Sequence, residues 1–203
     1  MLKIIDPDMS QYLKPTVEID FENPLVQLEI SKLSNPELRE NELVKKVFEY
    51  VRDVYPHPLD MAGPLPRRIS CKASDVIHNG HGLCYAKSHL MAAILRGMGI
   101  PTGFCYQKLI FSETDPKPVL HAINAVYLSE AGKWIRLDAR GNKPGVDAQF
   151  SLNSDKLAFS VRPELGEEDG ITIYPEPSKN VIAAMRMSES LEYLVKNLPE
   201  NVE

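Results

Sequence analysis

The chain of 203 residues has an ordinary globular composition, with 43% hydrophobic and 25% charged residues, and its length suits one domain with a sizeable core. A net charge of −5 without any basic stripe argues against a nucleic-acid-binding surface. No apolar run is long enough to span a membrane, and charges and a proline interrupt the first eight residues where a signal peptide would need its apolar core. Three cysteines cannot all pair, which fits a reducing compartment. We therefore predict one cytoplasmic domain over residues 1–203, with no membrane or nucleic-acid partner.

The N-terminal part of the chain is predicted to be helical with long polar connections. Residues 1–23 are aperiodic apart from an alternation at 17–21, which predicts a surface arm with one short strand. Asn23 followed by Pro24 is typical of a helix start, since asparagine caps free N–H groups and proline fits the first helical position. The elements predicted next are a helix at 24–33, an amphipathic helix from 35 or 36 to 55, a proline-rich surface loop at 56–70 and a helical turn at 73–77.

The C-terminal part is predicted to be mainly strands after one apolar helix. Apolar residues at helical spacing predict that helix over residues 83–98, with glycine and proline at 99–101 ending it. The segments beyond it are rich in β-forming residues and separated by turn residues. They predict strands at 102–111, 119–128 and 133–138 with turns at 115–118 and 130–132, a further strand at 156–162, an acidic loop at 163–170, a short strand at 171–174 and an amphipathic helix at about 178–198.

Cys84 lies where a glycine-punctuated loop runs into the apolar helix. In the first turn of a helix, the free N–H groups carry partial positive charge, which favours the thiolate, the reactive form of cysteine. Gly80 and Gly82 permit positive φ and leave room for the carbonyl group of another molecule to approach the sulfur. These features identify Cys84 as a candidate nucleophile.

The hairpin after the helix offers partners for this nucleophile. A thiolate nucleophile needs a base, and the base needs a third group that fixes its tautomer. If Leu128 pairs with Lys133, then Asp138 lies diagonal to His121 on one face of the sheet, roughly 7–8 Å away at Cα. A shift of one residue would move Asp138 to the other face, so the predicted triad depends on this register. The opposite face would carry the apolar residues Leu120, Ala122, Val126, Leu128, Ile135, Leu137 and Ala139, with Asn124 as a discordant polar residue.

Three separated motifs resemble the transglutaminase-like superfamily. They are Gly82-x-Cys84 at the helix start, His121-Ala122 on a strand and the residues 134–138, Trp-Ile-Arg-Leu-Asp, on the next strand. The resemblance covers about residues 40–140. It implies an α+β fold with a papain-like core, in which helices pack on an antiparallel sheet and the nucleophile lies at a helix N-terminus.

The resemblance also implies roles and a chemistry. Cys84 would be the nucleophile, with its own N–H in the oxyanion hole, His121 the general base and acid, and Asp138 the orienting carboxylate. Members of the superfamily form a thioester and pass the acyl group to water or an amine. This implies a cysteine peptidase, amidase or transglutaminase-like acyltransferase acting on a peptide, a protein or a small amide, without cofactor or metal. Ile123, where many relatives have Trp, and Ala139, where they have Pro, bear on substrate class rather than on the triad.

Two other classes of function compete with a thiol enzyme. Cys71, His78, His81 and Cys84 have the ligand types of a zinc site, although their spacing matches no common zinc module. A domain that keeps the fold but only binds a ligand is the second alternative, because a fold does not fix a function.

Overall fold

Helices fill the first half of the chain and a three-stranded antiparallel sheet follows, in a computed structural model that describes residues 2–112 and 116–203. The helices are α1 (Pro24–Leu33), α2 (Glu40–Val54), α3 (Ala73–Asn79), α4 (Cys84–Gly97), α5 (Lys179–Met187) and α6 (Leu191–Lys196). The strands are β1 (Lys3–Ile4), β2 (Thr102–Ile110), β3 (Pro118–Leu128), β4 (Lys133–Leu137) and β5 (Thr172–Ile173). The predicted α+β class, with helices packed on an antiparallel sheet, is confirmed.

The starts of α1 and α2 follow from their capping groups. The side chain of Asn23 accepts the N–H of Leu25 at 3.0 Å, and Pro24 takes the first helical position, as predicted. α2 begins at Glu40, later than predicted. The carboxylate of Glu42 accepts the N–H of Arg39 at 3.0 Å. This capping bond makes the helix begin just after Arg39 rather than at Pro36.

α4 is the central helix of the fold. Residues 85–96 are all buried, against α1, α2, α3 and the strands β2 and β3. Its polar side chains are satisfied by backbone groups: His89 Nδ1 donates to the carbonyl of Cys71 at 2.7 Å, and Arg96 Nε donates to the carbonyl of Thr102 at 2.9 Å. Because buried polar groups cost free energy unless they are hydrogen-bonded, these bonds let a helix be buried on every side.

The register of the β3–β4 hairpin is the one that the sequence predicts. The sheet has the order β2-β3-β4, and β3 pairs with β4 from Leu128 opposite Lys133 to Asn124 opposite Leu137. Gly132 turns the chain with a φ of 61°, a value that glycine adopts without steric cost. Leu137 is the last residue of β4, so this pairing delivers Asp138 to the end of the sheet.

The two faces of the sheet pack against different layers. Cys105, Ile123 and Ala125 on one face form a small cluster with Tyr12 and Ile173 from the two ends of the chain. The other face belongs to the main core with α4 and contributes all the residues predicted for it, Leu120, Ala122, Val126, Leu128, Ile135, Leu137 and Ala139.

The discordant Asn124 of that face is buried and bonded. Its Nδ2 donates to the carbonyls of Ser88 at 3.1 Å and Gly103 at 3.3 Å. The side chain therefore ties α4 to β2 through the middle strand, which explains a polar residue in the core.

The predicted strand at 17–21 is wrong. The hydroxyl of Thr16 accepts the N–H groups of Glu18 at 3.2 Å and Ile19 at 3.1 Å, so the segment forms a turn instead. Ile19 is fully buried beneath it, and the arm is therefore part of the core. The strand near the N-terminus is β1, which pairs in parallel with β5.

Two C-terminal predictions are corrected, and one connection is only partly described. Residues 156–162 form no strand, because the backbone N–H of Ala158 bonds to the side chain of Asp138 instead of to another strand. The single helix predicted at 178–198 is two helices, since Ser190 Oγ accepts the N–H of Tyr193 at 3.1 Å and starts α6. Part of the turn predicted at 115–118 lies outside the described residues.

None of the helices within residues 2–112 and 116–203 has the length and apolarity needed to cross a membrane. The single domain over residues 1–203 stays a prediction.

Candidate active site

Cys84 is the first residue of α4 and is partly exposed, whereas Cys71 and Cys105 are buried. The loop before it contains one glycine in the predicted conformation, since Gly80 caps α3 with a φ of 74°. Gly82 does not have a positive φ. A Cβ at Gly82 would lie 3.2 Å from the Val76 side chain, so close packing rather than backbone conformation favours glycine there.

Asp138 is completely buried and accepts three hydrogen bonds. The donors are Nε2 of His121 at 2.7 Å, the N–H of Ala158 at 2.9 Å and the N–H of Arg140 at 3.1 Å. Burial alone would raise the pKa of this carboxyl group, but the charge of His121 and the three donors lower it. Asp138 is therefore an ionised acceptor that fixes the orientation of the His121 ring.

His121 connects Asp138 to Cys84. Only 5% of the residue is exposed, and Nε2 is taken by Asp138, so Nδ1 is the ring nitrogen left for Cys84, which lines the same cleft. Burial lowers the pKa of His121, but the negative charges of Asp138 and Cys84 outweigh it and raise the pKa to about 10. The structure thus brings together all three residues that the sequence singles out.

The segment at 156–162 holds the histidine from a second side. The ring of Phe159 meets the His121 ring edge-on, with centroids 5.1 Å apart. The guanidinium of Arg140 lies 5.5 Å from the centroid of the same Phe159 ring. Together with the Ala158 N–H, these contacts dock the segment against the end of β4.

Lys87 is a residue of the site region that sequence reasoning missed. It lies one helical turn after Cys84, has no exposed surface, and its Nζ donates to the carbonyls of Arg140 at 2.9 Å and Arg52 at 3.0 Å. Burial lowers the pKa of this amine to about 7. The signal in the sequence is a charged residue near the start of a helix whose residues are mainly apolar.

Sequence reasoning also missed His57, because a single histidine in a loop is usually not part of a functional site. It is 6% exposed, and its Nδ1 accepts the N–H of Leu59 at 3.3 Å. Burial first of all, together with the positive charge of Arg140, lowers the pKa of His57 well below its ordinary value. The signal available in the sequence was its position between two prolines, which fix the backbone.

A cleft of about 770 Å³ opens onto Cys84 and His121, a size suited to a small ligand or a peptide side chain. His57, Arg140 and Lys143 contribute polar groups to it. Ser160, Arg162 and Glu167 also line it, together with the apolar residues Leu83, Leu109, Phe111, Leu120, Phe159 and Leu198.

The alternative of a zinc site on Cys71, His78, His81 and Cys84 is wrong. In the part of the chain that the structure describes, no group of three or more histidine, cysteine or acidic side chains is placed to hold a metal ion. The exposed His78 ring contacts Arg68 at 2.9 Å, and Cys71 is buried, where loss of solvation raises its pKa to about 11. His81 is buried.

Comparison with known proteins places this site in a family. The core model of the transglutaminase-like superfamily matches residues 28–139. No curated protein sequence matches the chain at a significant level.

Two solved structures resemble the fold. A protein of Cytophaga hutchinsonii, named as a candidate cysteine protease, superposes with a TM-score of 0.52 and 20% identity, over 67% of this chain and 43% of that protein. A TGase structure superposes with a TM-score of 0.46 and 18% identity, over 77% of this chain and 43% of that one. The chain therefore spans less than half the length of either protein, and the first likeness supports the fold alone.

Proposed function

Because the chain belongs to the transglutaminase-like superfamily, we propose that it is a thiol-dependent acyl-transfer enzyme that acts on amide bonds through a thioester on Cys84. The observation that carries this proposal is the 2.7 Å hydrogen bond between His121 and the buried Asp138, at a cleft that both His121 and Cys84 line. Its acyl donor would be a peptide, a protein or a small amide. The free thiols of all three cysteines support a reducing compartment such as the cytoplasm.

The first half-reaction makes the thioester. The sulfur of Cys84 attacks the carbonyl carbon, a C–S bond forms, and the π electron pair moves onto the oxygen. When the oxyanion collapses, the C–N bond breaks and the imidazolium of His121 gives its proton to the leaving nitrogen. A pKa of His121 of about 10 keeps this imidazolium charged at neutral pH, as an acid in this step must be.

The second half-reaction releases the acyl group. Neutral His121 takes a proton from water or an amine while the oxygen or nitrogen of that acceptor attacks the thioester carbonyl. The C–S bond then breaks and the sulfur leaves as the thiolate beside the new imidazolium. Asp138 holds the ring in one orientation through both steps and stabilises its charge. Water gives hydrolysis and an amine gives transamidation.

The walls of the cleft favour an apolar acyl group beside the scissile bond. Leu83, Phe111 and Phe159 line it. Asp60 is shared between Arg140 and Lys143, so a cationic acyl group would lose its hydration there without gaining this carboxylate as a free counter-charge.

The test uses p-nitrophenyl acetate as an acyl donor, with and without methylamine as the acceptor. The expected result is a burst of p-nitrophenol equal to the enzyme, acetylation of Cys84 by peptide mass spectrometry, and release of acetate or N-methylacetamide. Cys84→Ala should remove the burst, and Cys71→Ala, which removes a buried thiol, should retain it. Failure to acetylate Cys84 in the unchanged protein would leave a non-catalytic binding domain as the better description.

A further inference from the structure

We propose that His57 is a further catalytic residue, whose Nε2–H donates a hydrogen bond to the carbonyl oxygen of the acyl donor as that oxygen becomes an oxyanion. The inference rests on the proposed acyl-transfer function. It adds a side-chain donor to the backbone N–H of Cys84.

The segment that carries His57 is tied to the nucleophile loop at one end. The carbonyl of Pro56 accepts the N–H of Gly82 at 3.3 Å, and Gly82 lies two residues before Cys84. This bond places His57 beside the start of α4, and His57 lines the same cleft as Cys84 and His121.

The other end of the segment is tied to the loop that follows the orienting carboxylate. Asp60 pairs with both Arg140 and Lys143, and the Arg140 N–H itself bonds to Asp138. Ionisation of Asp60 is favoured, because these two cations overcome the effect of burial and lower its pKa to about 2. His57 is thus held between two anchors, each connected to a member of the Cys84–His121–Asp138 set.

The tautomer of His57 follows from its hydrogen bond. Nδ1 lies 3.3 Å from the backbone nitrogen of Leu59, and because an amide N–H can only donate, Nδ1 must be the acceptor. A neutral imidazole that accepts at Nδ1 carries its proton at Nε2. Within residues 2–112 and 116–203, no hydrogen bond from Nε2 to a protein group is seen, so this donor is available to a molecule in the cleft.

Two properties suit this donor to an oxyanion. Burial and the positive charge of Arg140 lower the pKa of His57, so the ring stays neutral at physiological pH and does not compete with His121 for a proton. The ring is also fixed before substrate arrives by the bond from Leu59 and the prolines on both sides. Preorganised donors of this kind stabilise developing charge with little reorganisation.

The experiment separates oxyanion stabilisation from thiol reactivity. Acetylation of Cys84 by p-nitrophenyl acetate passes through an oxyanion, whereas alkylation by iodoacetamide is a direct displacement without one. His57→Phe removes the donor, and we expect its maximal acetylation rate to fall about 10²–10³-fold while alkylation changes by less than about threefold. His57→Asn keeps an amide donor and a favoured N-cap acceptor, and should recover part of the loss. Met61→Ala, at the exposed end of the same turn, serves as the control.

A second measurement on the unchanged protein does not depend on how a variant folds. N-acetyl-leucinal adds to a catalytic thiol as a hemithioacetal, whose oxygen occupies the place of the oxyanion. We expect the ¹⁵N and ¹H resonances of His57 Nε2–H to shift on this addition, and the shift to be absent in Cys84→Ala.

Three results would overturn the assignment. Unchanged acetylation in His57→Phe, or an unshifted His57 resonance in the hemithioacetal, would refute the hydrogen bond. A parallel fall in acetylation and alkylation would indicate a structural role. If the unchanged protein is alkylated at Cys84 but never acetylated, the acyl-transfer function itself fails, and the role of His57 fails with it.

Discussion

The backbone N–H of Ala158 donates to Oδ2 of Asp138 at 2.9 Å, the same oxygen that accepts Nε2–H of His121. Oδ1 of this carboxylate accepts the N–H of Arg140. The three groups bonded to Asp138 are therefore all donors, and its side chain must offer acceptors on both branches. This geometry distinguishes Asp from its closest isostere, Asn.

We expect Asp138→Asn to impair both catalysis and folding. In either orientation of the amide, its NH₂ group faces at least one N–H donor, so at least one bond is lost and a buried donor is left unsatisfied, at a cost of about 1–3 kcal/mol. The His121 ring also loses its anionic partner, and by analogy with the Ser-His-Asp triad the acetylation rate should fall by up to about 10⁴-fold. Urea unfolding and burst kinetics measure the two effects.

The matched control for this change is Asp155→Asn. Asp155 pairs with Arg136, and its side chain is 40% exposed, so water can replace the lost bond. Equal losses of acetylation in the two variants would contradict the role of Asp138.

Iodoacetamide should label Cys84 selectively in the folded protein at neutral pH. Burial raises the pKa of Cys71 to about 11 and that of Cys105 to about 12, so both are protonated, and both are shielded from the reagent. Peptide mapping after partial alkylation should find a single adduct in the folded protein and three after denaturation. Labelling of Cys71 or Cys105 at a comparable rate would contradict the difference in environment.

Gly80→Ala should destabilise the loop that leads to Cys84. Gly80 has a φ of 74°, and a Cβ there would meet nothing within 4 Å, so backbone strain is the only cost, roughly 1–2 kcal/mol. Gly80→Asn should cost less, because asparagine tolerates this conformation best among the other residues. Urea unfolding of the two variants makes the comparison. Equal losses would show that φ is not the reason for glycine at this position.

The elements that sequence reasoning predicted correctly are those whose evidence is local. The register of β3 and β4 follows from a short turn and from alternation, and Asp138 and His121 meet because a strand alternates its side chains with period two. α1 was predicted because Asn23 and Pro24 act on the next few residues. The three residues proposed for the site are brought together by these local rules and by the packing of α4 against β3.

The elements that were missed depend on partners far along the chain. Residues 156–162 have strand-forming composition, yet the Ala158 N–H bonds to a carboxylate twenty positions earlier and the strand does not form. Lys87 is buried because two carbonyls converge on its amine, one of them at the end of α2. His57 faces the cleft because of Gly82 and Arg140. Contacts between residues this far apart in the chain leave no periodic pattern in the sequence, so sequence reasoning cannot predict them.

Lys87 and His121 should give opposite slopes to stability against pH. The pKa of His121 is raised to about 10, so its contribution to stability is complete below its unfolded value near 6.5 and is lost as the pH rises toward 10. The pKa of Lys87 is lowered to about 7. The cost of burying its charge is therefore largest below pH 7 and diminishes as the pH rises toward the unfolded value near 10.5.

Two variants separate these slopes between about pH 7 and 8, below the pKa of about 8.5 of an unfolded thiol. The variants and their reference protein all carry Cys84→Ala, because the charge of Cys84 is coupled to that of His121. Relative to this reference, the free energy of unfolding of Lys87→Met should fall as the pH rises, because the opposing lysine effect is gone. That of His121→Gln should rise, because only the lysine effect is left. Each difference is limited to about 1.4 kcal/mol per pH unit for one proton. Urea unfolding at several pH values measures both curves, and two differences with the same sign would contradict the buried charge states assigned to this site.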